Sequence, residues 1–155
     1  MARHEPARKS TYRIPISATL TTTCGIEIHN PTASGVLIAL RRFQVHVSSA
    51  MNLTLTRRDA PATGGTAVSV TPVPAIHGEP PAQALVRYFT APPTLGGNLL
   101  DTPLTLQIPA AALASDTLDA EDLVPLALRP GQIFCFDTGA IVLRGTLLFT
   151  EEPWP

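Results

Sequence analysis

Charge is scarce in this 155-residue chain. Asp, Glu, Lys and Arg together make up 15%, below the usual ~25% of a globular domain. Lys9 is the only lysine and the formal net charge is −1, so the basic stripe of a general nucleic-acid binder is missing. Aromatic residues make up 5%, few for a surface that stacks against sugars. No apolar run approaches the ~18 residues of a membrane-crossing helix. The first ten residues are polar and no apolar segment follows, so no secretory signal is expected. There are two cysteines. In a chain read as a cytosolic product they are most simply two reduced thiols. Cys24 falls on an apolar face and is expected as a buried, inert thiol; a Cys24–Cys135 bridge is the alternative.

Helical periodicity is nearly absent as well. Residues 110–122 are the one helix-like stretch, but they lack a stripe of large apolar residues and carry Asp116, Asp119, Glu121 and Asp122, which reads as a solvated loop or short turn. What the chain does have is hydrophobic residues (45%) and sixteen prolines, the latter about twice the usual ~5%. Pro31, Pro61, Pro80-Pro81, Pro92-Pro93, Pro109 and Pro130 punctuate the chain between apolar runs. Proline is excluded from central strands and helix interiors, so this spacing predicts many short strands joined by stiff loops. Arginine supplies every basic residue except Lys9. Codon usage in a GC-rich genome accounts for that, and so does bidentate pairing at interfaces.

Period-2 alternation is common. Residues 18–28 read as one strand with Ala18, Leu20, Cys24, Ile26 and Ile28 on the buried face and Thr19, Thr21, Thr23, Glu27 and His29 on or beside the wet one. After the turn chemistry of Asn30-Pro31 to Gly35, residues 36–47 form a strand with Leu37, Ala39, Phe43, Val45 and Val47 on one face. Its other face starts apolar (Val36, Ile38, Leu40) and turns polar at Arg42, Gln44 and His46, so one end is predicted to be covered on both sides. A short loop leads to residues 51–58, where Met51, Leu53 and Leu55 alternate with Asn52, Thr54 and Thr56, and the two runs read as a hairpin. Further strands are predicted at 66–71, 84–89, 102–108, 123–128, 132–137 and 140–150, with Thr138-Gly139 closing a tight hairpin between the last two. The fold class is therefore all-β, a jelly-roll-like antiparallel β-sandwich of about eight strands with extended N- and C-terminal arms. Residues 1–15 are the N-terminal arm, 16–150 the sandwich and 151–155 the C-terminal tail.

Few residues point to chemistry. Glu27 and His29 share a wet face, and His46 lies at the polar end of the next strand; adjacent strands would bring the three together as metal ligands, although no cupin-like His-x-His string is present and ordinary exposed polar positions account for them too. His4 and His77 have no partners at ligand spacing. There is no G-x-S-x-G elbow and no phosphate loop, since Gly64-Gly65 and Gly96-Gly97 lack the spacing and the following helix. No catalytic residue, metal or cofactor is assigned. The informative features point to assembly. Arg41-Arg42 and Arg57-Arg58 fall on adjacent strands in the hairpin reading, each doublet putting one Arg on either face, and four cations there need acidic partners or a neighbouring chain. Trp154, between two prolines, is an anchor for a pocket of its own chain or a partner. The N-terminal arm, with Arg3, Arg8 and Lys9, is a segment that orders on a partner surface.

The run Ile28-His29-Asn30-Pro31 through Ser34-Gly35-Val36, the continuation from Leu53 to Arg58, then Thr63-Gly64-Gly65-Thr66 and Leu128-Arg129-Pro130-Gly131-Gln132 together resemble small structural proteins of tailed bacteriophages. Over residues 25–149 the chain looks like capsid cement or decoration proteins of jelly-roll type. The resemblance implies a non-enzymatic virion structural protein, made in the host cytoplasm and placed on the capsid surface. Its partners would be the major capsid protein and itself, as a dimer or trimer, with no nucleic acid or membrane. No functional residues carry over. A carbohydrate- or receptor-binding jelly roll of a phage fibre is the alternative, for which residues 116–122 are the one acidic loop, at spacing that matches no calcium loop. A cupin-type metal enzyme built on Glu27, His29 and His46 is the third reading.

Overall fold

The structure is a computed structural model that describes residues 9–21, 23–47, 49–108, 116–119, 126–137 and 139–155. In chain order the strands are β1 (Ser10–Leu20), β2 (Ile26–His29), β3 (Val36–Val47), β4 (Met51–Arg58), β5 (Thr66–Val70), β6 (Val73–Pro74), β7 (Leu85–Ala91), β8 (Leu104–Ile108), β9 (Asp116–Asp119), β10 (Ala127–Leu128), β11 (Ile133–Asp137) and β12 (Ile141–Pro153). No described residue is helical. The strands form two antiparallel six-stranded sheets. Sheet A runs β10-β3-β12-β1-β6, with β9 also paired to β3; sheet B runs β5-β7-β2-β11-β4-β8. Packed face to face they make the expected all-β, jelly-roll-like sandwich, with twelve strands among the described residues where about eight were expected.

The core is the inward stripe of each strand. Tyr12, Ile14 and Ile16 of β1, Leu147 and Phe149 of β12 and Phe43 of β3 meet Ile26 and Ile28 of β2, Leu53 and Leu55 of β4 and Phe134 and Phe136 of β11, all buried. Tyr12 stacks on Phe149 at 5.4 Å and Phe43 meets Phe136 at 5.5 Å between ring centroids. All five phenylalanines are buried. Most of the small aromatic share is thus used inside, where each such side chain contributes about 1.5–3 kcal/mol.

Several local expectations are revised. Residues 10–15, assigned to an arm, belong to β1, where Tyr12, Ile14 and Ile16 point inward while Arg13, Pro15 and Ser17 point outward. Proline is tolerated at position 15 because the partner on that side of β1, the short β6, reaches only Tyr12 and Arg13. At the other end β12 extends to Pro153, so the tail begins later than expected. Residues 18–28 are two strands in different sheets: the chain leaves sheet A at Leu20 and enters sheet B at Ile26, through Cys24 at φ 48°. The alternation keeps its phase across this crossover, which hides it from a reading by period. Neither expected hairpin forms, since β3 and β12 lie in sheet A while β4 and β11 lie in sheet B. Adjacent alternating runs fit a sheet-to-sheet crossover as well as a hairpin, and Gly139 at φ 75° serves either turn. Within the predicted solvated loop at 110–122, Asp116–Asp119 pairs with β3.

The double coverage expected along one end of β3 resolves into a β-bulge. Phe149 pairs with Leu40 and Leu148 with Arg42, leaving Arg41 as the extra residue. The inward face therefore shifts from Ile38 and Leu40 to Phe43. Arg41 and Arg42 consequently share the outer face, where one on each face had been predicted.

The two cysteines are bonded: Cys24 and Cys135 form a disulfide with Cα atoms 5.1 Å apart and a sequence separation of 111. The expectation of two reduced thiols is overturned, because the crossover into β2 turns Cys24 toward the outer face of sheet B, the side on which Cys135 of β11 lies. Closing so long a loop removes unfolded-chain entropy worth about 5 kcal/mol. A Cys24→Ala/Cys135→Ala protein is therefore expected to unfold at markedly lower urea than the oxidised protein, by up to that amount. Coincident urea midpoints for the two would contradict the assignment.

Candidate functional site

The outer face of sheet B carries a disulfide, a buried ion pair and a cleft. On β2, Ile26 and Ile28 point into the core, so Glu27 and His29 point out. Register places Glu27 between Arg87 of β7 and Cys135 of β11, and His29 between Leu85 and Ile133. The segment after β4 folds back over this face. Ala62 packs with Phe89, Cys24 and Cys135 in a second, smaller buried cluster, with Leu95 against it.

Glu27 is almost fully buried, its side chain 2% exposed. Its Oε1 accepts a hydrogen bond from Arg87 Nε at 2.7 Å, and its Oε2 accepts one from the Ala62 amide at 2.8 Å. Arg87 also donates to the Ala62 carbonyl and lies 4.8 Å over the Phe89 ring. A buried carboxylate is stable here only because both oxygens are satisfied and one partner is a cation. The pair thereby fixes the covering segment to the sheet through both polar groups of Ala62's backbone.

Beside this pair a cleft of about 570 Å³ opens, lined by Glu27, His29, Ser69, Thr71, Leu85 and Arg87 among others. His29 is half-buried, and burial holds its pKa below the usual 6.5; Arg87 pushes the same way and Glu27 the other. The cleft thus presents one imidazole, the partly exposed edge of a guanidinium, two hydroxyls and an exposed leucine, a set suited to binding a polar group beside an apolar one.

The predicted metal trio does not assemble. β2 and β3 are in different sheets, so Glu27 and His29 are not adjacent to His46. A different trio, Cys24, Glu27 and Cys135, has ligand atoms within 4.8 Å of one another. With the sulfurs joined to each other and both Glu27 oxygens bonded to Arg87 and Ala62, this donor set has no thiolate to offer.

The predicted partner-binding residues are spread over both sheets. Lys9 and Arg41 meet on Glu152, at 3.1 and 3.2 Å, and Arg41 Nε also donates to Thr150 Oγ1 at 3.1 Å. Arg42 is exposed on β3. Arg57 pairs with Asp101 at 2.5 Å and donates to the Ala127 carbonyl at 2.7 Å. Arg58 reaches the Gly96 and Gly97 carbonyls, each at 3.4 Å. The two doublets are on separate sheets, contrary to the hairpin reading. Trp154 is held by its own chain, its amide donating to the Gly35 carbonyl at 2.9 Å and its ring 5.4 Å from the Arg129 guanidinium. Arg3 and Arg8 lie outside the described residues. Arg87 was missed by sequence reasoning. Its one signal was a lone charge at an alternating position between Leu85 and Phe89, which marks a strand face under cover.

No protein-family model, curated protein or solved structure matches this chain.

Two outcomes follow for this face. Removing the carboxylate with Glu27→Ala leaves Arg87 and the Ala62 amide without their acceptor and should cost about 3 kcal/mol in denaturant unfolding; a loss below a tenth of that would show that the ion pair is incidental. His29 binds its proton less readily folded than unfolded. Stability should therefore fall as pH drops through 6.5 toward the lower folded pKa and flatten below it, and a His29→Gln protein should lack that component. A His29 titration midpoint by NMR at or above 6.5 would contradict the burial argument.

Proposed function

We propose that this chain is a non-enzymatic virion structural protein, a cement or decoration module that stabilises a capsid shell by bridging its subunits. The observation that carries the reading is the distribution of polar and apolar groups. Buried acids are committed to the fold: Glu27 to Arg87 and Ala62, and Glu151 to the Gln83 and Ala84 amides at 2.7 and 2.9 Å. Large apolar side chains stand outside instead, among them Val68, Val73, Ile76 and Leu85, on a chain with only 15% charged residues. Apolar groups held outside a rigid sandwich gain free energy when another surface covers them. A lattice of identical subunits multiplies modest contacts of that kind into firm attachment. The exposed Arg42 and the Arg129-braced Trp154 are the cation and aromatic best placed to meet a capsid partner.

The cleft beside His29 favours a second reading, a carbohydrate- or receptor-binding module of a phage fibre, since it joins hydroxyl, imidazole and apolar groups in one concavity.

Co-sedimentation with purified phage head shells that lack decoration distinguishes the two. The cement reading expects saturable, stoichiometric binding that weakens when Trp154→Ala and Arg42→Glu are combined. Absence of binding to such shells, together with a specific glycan-array signal abolished by His29→Ala, would favour the fibre module instead.

A further inference from the structure

The connection from β5 to β6 is only Thr71 and Pro72, so the outer edges of the two sheets lie on the same side of the sandwich. There β5 ends sheet B: β7 pairs one of its edges, and no described strand pairs the other. Thr66 through Ser69 are exposed and Val70 is half-buried. An open edge presents a row of unpaired amide and carbonyl groups, which proteins usually protect with charge, proline or a bulge. β5 contains neither charge nor proline, and its one irregularity is confined to the Thr66/Ala67 step at its start. Around it Val68 and Val73 are each 39% exposed and Ile76 is 61% exposed. Ile76 is carried by a connection that is itself held firmly: Ala75 N donates to the Thr11 carbonyl at 2.8 Å, Tyr12 Oη to the Pro80 carbonyl at 2.9 Å, and the Gln83 and Ala84 amides to Glu151.

We propose that this edge is a self-association surface, in which two copies of the chain pair β5 against β5 antiparallel about a two-fold axis at Val68 and join their B sheets into one. The strand is self-complementary in that register. Val68 faces Val68 of the second copy, Ala67 faces Ser69, and Thr66 faces Val70. β-Branched residues therefore meet across the pair, small residues fill the other face, and no like charges oppose. With a net charge of −1, two copies also approach without appreciable long-range repulsion. A stable dimer needs roughly 800 Å² per partner, about a tenth of the 8564 Å² exposed by one chain. A five-residue edge does not supply that area alone, and the exposed Val73 and Ile76 of the following segment extend the contact.

The inference deepens the assembly reading by naming the surface of self-contact, and rests on that reading for the existence of an assembled state. Light scattering on the full chain after size exclusion tests it. The wild type should give twice the 16.4 kDa of one chain. Val68→Lys places two cations opposite each other on the axis and should weaken self-association at least tenfold, to monomer, with an unchanged circular-dichroism spectrum. Val68→Cys should cross-link between copies under mild oxidation, because Cys24 and Cys135 are already bonded to each other. A wild-type monomer at every concentration, a trimer or larger closed ring, or a dimer that survives Val68→Lys and refuses the Val68→Cys cross-link would overturn the proposal. Shell binding by a monomer would leave the cement reading standing while this surface fails; a Val68-dependent dimer with no affinity for shells would do the reverse.

Discussion

Everything in this molecule depends on burying one apolar stripe between two sheets. The stripe is built from Ile, Leu and four of the five phenylalanines, Phe43, Phe134, Phe136 and Phe149, and it fixes which residue of each strand faces in. Once that choice is made, the opposite faces follow by alternation: Glu27 and His29 must point out because Ile26 and Ile28 point in, and Arg87 because Val86 points in. The bulge at Arg41 shows how strictly the requirement is met. To keep both Leu40 and Phe43 in the core, the longest strand pair in the fold accepts one extra residue.

The outer face of sheet B is a second layer made possible by the first. The buried ion pair holds the backbone of Ala62, and with it a loop, over the sheet and against the disulfide, and these groups share neighbours: Cys135 pairs with Glu27 in register, and Phe89 lies under Arg87. On the opposite sheet Glu151 plays a comparable part, with burial raising its pKa against the lowering effect of the two amides it accepts from. Both acids fasten connecting segments to the sandwich. Among the described residues, strand edges, the His29 cleft and outward side chains such as Ile76, Arg42 and Trp154 remain open to other molecules.

The fold class was legible because proline spacing and period-2 alternation are local signals. The bounds of β3 and β4 were read to the residue, since both runs are flanked by turn residues, but the bulge at Arg41 breaks the alternation of β3 and with it the predicted faces of Arg41 and Arg42. Partnership was not legible. An alternating run gives its faces and not its neighbour, so the crossover pairs β3/β4 and β11/β12 looked like hairpins, and the metal trio of Glu27, His29 and His46 failed with them. The Cys24–Cys135 bridge stood only as the alternative, because a chain read as a cytosolic product favours reduced thiols, and it is the topology that brings the two together across 111 residues. Ser10 to Pro15 looked like the end of an arm because Arg13 and Pro15 dilute its apolar half. Arg87 and Ala62 carry no motif at all, and their roles arise from register and a covering loop.

The two-sheet core is the rigid part of the molecule, and the open edge of β5 is the surface proposed for pairing with a second copy. Hydrogen exchange across a concentration series reads both parts at once. Amides of β3, β11 and β12 should exchange slowly throughout, while those of Thr66 to Val70 should exchange fast in dilute protein and slowly in concentrated protein. Exchange at β5 that ignores concentration, with concentration-dependent protection appearing on another strand or around His29, would contradict it.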